Sequence, residues 1–348
     1  MIANWSRLSQ FGKCPEKAWN WDELRLQGYT WESNLEKGGG FHNGVAEYFA
    51  TRNIEAARQK VEDLMRADLK GKLVLPEDKP QIEHDIAWTK MAVARFAEHY
   101  EGQPVQVLWP EVQFCVPIPD SLHCCWEFHK RFCGDVPYND HAERIRYQGP
   151  SPELPCWQPH YFRGKTDAVV QYLGDVWLFE HKTNSMKLEM FVERYYLDAQ
   201  TTGYLYGIWK QLGTLPAGFI LNVIQKPHPN SKDQMQVGFA REIFQRCRED
   251  LEAFEGEFRQ QATDYESAFR DRHLGNPFAV VRRTTSCMDY SRKCAYFAKC
   301  QRHPREALEG EFAEREPDYV EAAYTEIYEK WKEEHANGNT PSAISNPA

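Results

Sequence analysis

No run of about 18 apolar residues occurs anywhere in the 348-residue chain, so it encodes no membrane-spanning helix of the usual length. The opening residues MIANWSRLSQFGKC lack the apolar stretch of a secretory signal, which predicts a cytoplasmic protein with no membrane partner. An excess of positive charge is missing too. Lys and Arg number 42 against 51 Asp and Glu, a net charge of -9, which argues against a protein that coats nucleic acid by bulk electrostatics. Lys226, Arg282, Arg283, Arg292 and Lys293 are scattered rather than striped, and read equally as a groove or as solvated surface charge. No internal repeat is present, so stacked-repeat architectures drop out. GKT at 164–166 is not a phosphate-binding loop, because Pro159 stands where that pattern needs glycine. Without an ATPase motif there is no helicase motor, and any unwinding must come from a partner.

What is present describes a globular protein, 42% hydrophobic and 27% charged, with chain enough for one or two domains. Ten cysteines in a reducing compartment point to metal or cluster binding before disulfides. Residues 44–69 and 81–99 carry apolar positions at helical spacing. VQVLW (105–109) and VQFCVPI (112–118) read as strand pieces bent at Pro110. The stretch 119–159 has no sustained period and reads as an insert. Two β-prone runs, 161–170 and 176–182, flank a turn at Gly174-Asp175, the pattern of a hairpin. Helix is expected over 186–211, a buried strand at 218–225, a long charged helix over 241–271 and a terminal helix over 318–335. The last residues have a disordered composition.

The chemistry gathers on the hairpin. In RGKTDAVVQYLGDVWLFEHKT, Asp167 and Glu180 lie on partner strands, and the two-residue period puts Glu180 and Lys182 on one face. Two carboxylates on adjacent strands can hold Mg²⁺ or Mn²⁺ and leave room for water and a phosphate oxygen. A lysine beside that cation can orient or help deprotonate the water and offset charge on phosphorus. Glu180 and Lys182 end the apolar run VWLF, so an acid and a base sit at the mouth of a core strand. Separately, Cys287-x6-Cys294-x5-Cys300 groups three thiols, and Cys14 sits near the opposite terminus; four thiolates suit zinc or a [4Fe-4S] cluster. Cys124, Cys125, Cys133 and Cys156, with His123, His129, His141 and His160, follow no regular zinc spacing and read as loop or core residues.

The chain resembles the RecB-like branch of the PD-(D/E)XK superfamily, which includes bacterial recombination nuclease domains, CRISPR adaptation nucleases and phage exonucleases. GGGFHNGVAEYF matches a first motif of a small-residue turn and a metal-binding histidine at a helix start, His42. GKTD matches the second with Asp167, EHK the third with Glu180 and Lys182, and QTTGY the downstream helix motif with Gln200 and Tyr204. The resemblance implies that His42, Asp167, Glu180 and the backbone carbonyl of His181 bind metal, that Lys182 is catalytic, and that Gln200 and Tyr204 support the site or contact DNA. Iron–sulfur members place one cysteine before the nuclease core and three after it, as Cys14, Cys287, Cys294 and Cys300 are placed. The gap between Cys287 and Cys294 is longer than the commoner family spacing, so zinc stays open as the alternative.

The implied fold is α/β, a restriction-endonuclease-like core of central mixed sheet flanked by helices. Residues 1–100 form its helical N-terminal part, 101–240 the nuclease core with the insert, 241–305 the helix and Cys-rich segment, 306–335 the terminal helix and 336–348 the tail. The implied activity is phosphodiester hydrolysis by a DNA exonuclease or end-processing enzyme on single strands or ends, in recombination or repair. A recombinase, single-strand-binding protein or helicase would be its partner, and a phage or bacterial source fits the family. Two other readings remain: a non-catalytic iron–sulfur DNA-binding or assembly subunit, and a structure-selective endonuclease.

Overall fold

The computed structural model describes residues 1–27, 33–70, 72, 74–133, 154–228, 230–289, 292–302 and 307–336. Residues 134–153 of the expected insert, with His141, and the tail from 337 lie outside the described residues. The chain forms two compact units: 28–114 with 165–254, and 1–27 with 115–164 and 255–348.

In the first of these units, helices α1 (Ser33–Thr51), α2 (Ile54–Ala67) and α3 (Lys79–His99) pack around Phe41, Val45, Val61, Met65, Ile86, Trp88, Val93 and Phe96, all buried. The single helix expected over 44–69 is therefore two. Arg52 takes a left-handed φ of 54°, and Asn53 begins α2 by accepting the N–H groups of Glu55 and Ala56 at 3.0 and 3.1 Å. The glycines of GGGFHNG are helical rather than a turn, and His42 sits inside α1 rather than at its start. Their small size serves packing. A Cβ on Gly44 would come within 2.5 Å of Val61 and 2.8 Å of Val93, so only glycine lets α1 approach this closely.

Strands β1 (Val105–Pro117), β2 (Tyr161–Tyr172), β3 (Asp175–Asn184), β4 (Gly218–Gln225) and β5 (Gly238–Gln245) supply the mixed sheet. β1 runs unbroken through Pro110, and the bend is taken up by Glu111 at a φ of 50°. β2 and β3 are antiparallel, from Tyr172 opposite Asp175 back to Ala168 opposite Phe179. The turn is Leu173-Gly174, one residue earlier than expected, with φ of 53° and 94° as a two-residue hairpin of this hand requires. β4 lies parallel to β3 and is buried along nearly its whole length, as its apolar run foretold. β5 pairs antiparallel with β4 and replaces the start of the long helix expected from 241, which begins only at Arg248. The helix expected over 186–211 is likewise interrupted: α4 (Ala199–Leu212) starts afresh at Asp198, whose carboxylate accepts the Thr201 N–H at 2.8 Å.

In the other unit, strand Ile2–Ala3 pairs parallel with Tyr161 and Phe162. Helix Trp5–Lys13 is capped by Asn4, and the long helix Tyr319–Ala336 reaches Ile2 through the Tyr324 hydroxyl, 2.9 Å from the Ile2 nitrogen. Among the described residues no helix is long and apolar enough to cross a membrane.

Candidate active site and cysteine sites

The hairpin ladder ends at Ala168 and Phe179, and the side chain of Asp167 continues it. Its Oδ2 accepts the His181 backbone N–H at 2.6 Å, while Oδ1 lies 2.7 Å from Nδ1 of His42 on α1. Gly44 and Gly40, packed against α2 and α3, set the depth at which α1 delivers that ring. Glu180, buried, forms an ion pair with Lys182 two residues along the same strand face. Lys182 also donates to Gln200 Oε1 at 3.5 Å, and Gln200 Nε2 donates to the Tyr204 hydroxyl at 2.8 Å. These two residues come from adjacent turns of α4.

The expected residues thus form two linked sets, His42 with Asp167 and Glu180 with Lys182, Gln200 and Tyr204, and the hydrogen bond between their strands here runs from the His181 backbone N–H to Asp167. His181 points the other way. Its ring is buried among Phe41, Phe49, Phe96 and Phe179, with centroids 5.3–6.1 Å apart, so its side chain belongs to the core.

Electrostatics separate the two acids. Burial opposes ionisation of Asp167, but the adjoining His42 overrides it and holds the carboxyl well below its usual range. Burial, reinforced by the charge on Asp167, pushes Glu180 up to about 7 against the pull of Lys182. Lys182 is desolvated, yet Glu180, Tyr195 and Asp167 keep its ammonium protonated above the ordinary range. His42 is raised, its burial outweighed by Asp167, whereas burial drives His181 down to about 3 and keeps that ring neutral.

The sequence reading missed a layer behind the site. Asn222 on β4 has no exposed surface; its Nδ2 donates to His181 Nδ1 at 3.2 Å and its Oδ1 accepts Arg241 Nε from β5 at 2.6 Å. The signal was an asparagine inside the apolar run GFILNVIQ, since a buried amide requires partners.

In the other unit Cys14, Cys287, Cys294 and Cys300 line one small cavity with Lys17, Arg282, Ser286, Tyr296 and Phe297. Local bonds bring them there: the Cys294 N–H reaches Cys287 O at 2.9 Å, and the Arg283 N–H points at Cys14 Sγ at 3.5 Å. Arg282 donates to Cys300 O at 2.8 Å and Arg283 to Gly12 O, so these two cations brace the cysteine region. Burial raises the Cys294 and Cys300 thiols. Two further groups of side chains able to hold a metal, each with its ligand atoms within 4.8 Å of one another, occur among the described residues, Cys124–His129–Cys156 and His123–His160–Glu266. The second is an internal charge network, in which Glu266 accepts from the Trp126 N–H and pairs with His123 at 2.7 Å and the Met1 amine at 3.6 Å.

The model of the PD-(D/E)XK nuclease superfamily matches residues 3–301 of this chain. A comparison with curated proteins finds no match. Among solved structures, "Crystal structure of SSO0001" is similar at 12% identity, covering 68% of this chain and 75% of that one, with a TM-score of 0.27.

Proposed function

The chain belongs to the PD-(D/E)XK nuclease superfamily, and from that premise we propose a Mg²⁺- or Mn²⁺-dependent DNA exonuclease or end-processing nuclease of the RecB-like, iron–sulfur branch. It acts on single strands or ends, in recombination or repair. The observation that carries this reading is the juxtaposition of Asp167, bonded to His42 and the His181 N–H, with the Glu180–Lys182 pair on the neighbouring strand.

The donors fit a hard divalent cation: the carboxylates of Asp167 and Glu180, with the His42 ring and the His181 carbonyl, would hold it. When bound, that cation supplies Lewis-acid polarisation of a phosphate oxygen and of the attacking water. Asp167 is kept ionised by His42, ready as a ligand without first losing a proton. Lys182, held as an ammonium, donates to the attacking water and to the phosphate oxygen where charge develops. Gln200 accepts from Lys182 and fixes its direction, and Tyr204 fixes Gln200 in turn.

For Cys14, Cys287, Cys294 and Cys300 the reading is a [4Fe-4S] cluster. The four thiols line one cavity, and four thiolates are the ligand set of such a cluster, with zinc as the alternative.

The test is degradation of labelled single- and double-stranded DNA with Mg²⁺ or Mn²⁺, using the native chain and Lys182→Ala prepared anaerobically side by side. Digestion by the native chain alone upholds the reading. If neither digests DNA or RNA while both are folded and carry iron, a non-catalytic assembly subunit replaces it. Circular substrates with no ends distinguish an exonuclease, which leaves them intact, from a structure-selective endonuclease.

A further inference from the structure

Side chains with no regular ligand spacing in the sequence converge in the interior. A sulfur of Cys124, a ring nitrogen of His129 and the sulfur of Cys156 lie within 4.8 Å of one another, and all three residues are buried. The sulfurs of Cys124 and Cys156 are 3.5 Å apart. Cys133 lies outside that group of three but beside it, its thiol hydrogen-bonded to that of Cys156.

The local backbone holds this arrangement. Strand His123–Cys124 pairs with Trp157–Gln158, which places Cys124 opposite the residue after Cys156. Helix Trp126–Phe132 follows directly, with the His129 N–H bonded to Cys125 O at 2.9 Å and the Cys133 N–H to His129 O at 3.0 Å. The Cys125 N–H reaches across to Cys156 O at 2.8 Å.

We propose that Cys124, His129, Cys133 and Cys156 form a structural zinc site. Three sulfurs and one imidazole nitrogen complete a closed tetrahedron with no position for substrate. The Cys124–Cys156 sulfur separation of 3.5 Å is close to the edge of about 3.8 Å that such a tetrahedron imposes. Binding replaces three thiol protons, released to solvent, with three zinc–sulfur bonds. The ion then pins strand His123–Cys124, helix Trp126–Phe132 and the residues before Trp157 to one another. Buried thiols alone would pack as small hydrophobes, but the buried Cys124 and Cys156 with the half-buried Cys133 beside an imidazole present converging lone pairs that such packing does not need. The proposal does not depend on the nuclease reading.

Zinc K-edge absorption fine structure on the full chain, purified anaerobically with zinc in the growth medium, tests it without a variant. The expected shell is three sulfurs at about 2.3 Å and one nitrogen at about 2.0 Å. Metal analysis is expected to give one zinc per chain beside the iron, and Cys156→Ser should lose at least about nine-tenths of that zinc with iron unchanged. If Cys156→Ser is insoluble, His129→Cys serves instead and should keep its zinc with a four-sulfur shell. The proposal is overturned by a native chain without zinc, by a native four-sulfur or oxygen-rich shell, by zinc retained in Cys156→Ser, or by a Cys124–Cys156 disulfide in its place.

Discussion

Asp167 Oδ2 accepts the backbone N–H of His181 at 2.6 Å, so one carboxylate both closes the hairpin ladder and stands in the site. Replacing it touches structure and chemistry together. Asp167→Asn keeps an acceptor for that N–H but removes the charge facing His42. DNA cleavage should fall by at least about a hundredfold, the scale for losing one preorganised charged group, with melting temperature nearly unchanged. Unaltered cleavage would remove Asp167 from the machinery.

Glu180 sets the acid side of the pH profile. In the metal-free protein burial and Asp167 push it up to about 7, so below that pH it carries a proton that a cation must displace. The half-saturating Mg²⁺ concentration should therefore rise as pH falls, by about tenfold per unit below 7, and level off above 8. Magnesium titrations of cleavage at pH 6, 7 and 8 check this. A flat dependence would mean that Glu180 is not a ligand.

Lys182 relies on Gln200, and Gln200 on Tyr204. Tyr204→Phe removes only the last link, and a loss of about tenfold in kcat, with KM little changed, is expected from a positioning hydroxyl. Lys182→Ala should cost about a hundredfold to a thousandfold. A Tyr204→Phe loss as large as that of Lys182→Ala would place the tyrosine on substrate instead.

Two glycines of α1 should respond in opposite directions. A methyl on Gly44 meets Val61 and Val93, an overpacking expected to cost about 1–3 kcal/mol and to shift His42. Gly39 is exposed on the same helix with nothing within 4 Å, so Gly39→Ala should stabilise by about 0.5–1 kcal/mol. Thermal unfolding of the pair reads both. Equal shifts would show that helix propensity, not close approach, governs this segment.

Which parts were legible in the sequence follows from how burial marks a chain. The run GFILNVIQ announced β4 to the residue because both faces of that strand are covered. Glu180 and Lys182 stand out because chemistry at the mouth of an apolar run is a local signal, and Asp167 because it lies on the partner strand of the hairpin. Gln200 and Tyr204, by contrast, are legible only through the resemblance of QTTGY to a family motif; the structure brings them together with Lys182 and Glu180. β5 was missed because it ends the sheet and is largely half-buried or exposed, so GFAREIFQ shows no clean alternation and passes for the start of the charged helix behind it. The glycines before His42 suggested a turn by propensity, but tertiary packing used their lack of a side chain inside a helix. Arg241 left no mark at all, since its partner Asn222 is 19 residues away on another strand.

The division of the chain also bears on how the protein is made. Neither unit is one continuous stretch: residues 1–27 belong with 115–164 and 255–348, and the unit carrying the nuclease residues is itself made of two segments. A ribosome therefore delivers the first 27 residues long before the segment with Cys287, Cys294 and Cys300 emerges. The segments that furnish His42, Asp167, Glu180 and Gln200 are complete by residue 254, earlier in synthesis than the other unit can close. The opening helices must wait exposed through that interval, which makes their stretch the natural client of a chaperone and the first place where stalled or truncated chains would aggregate.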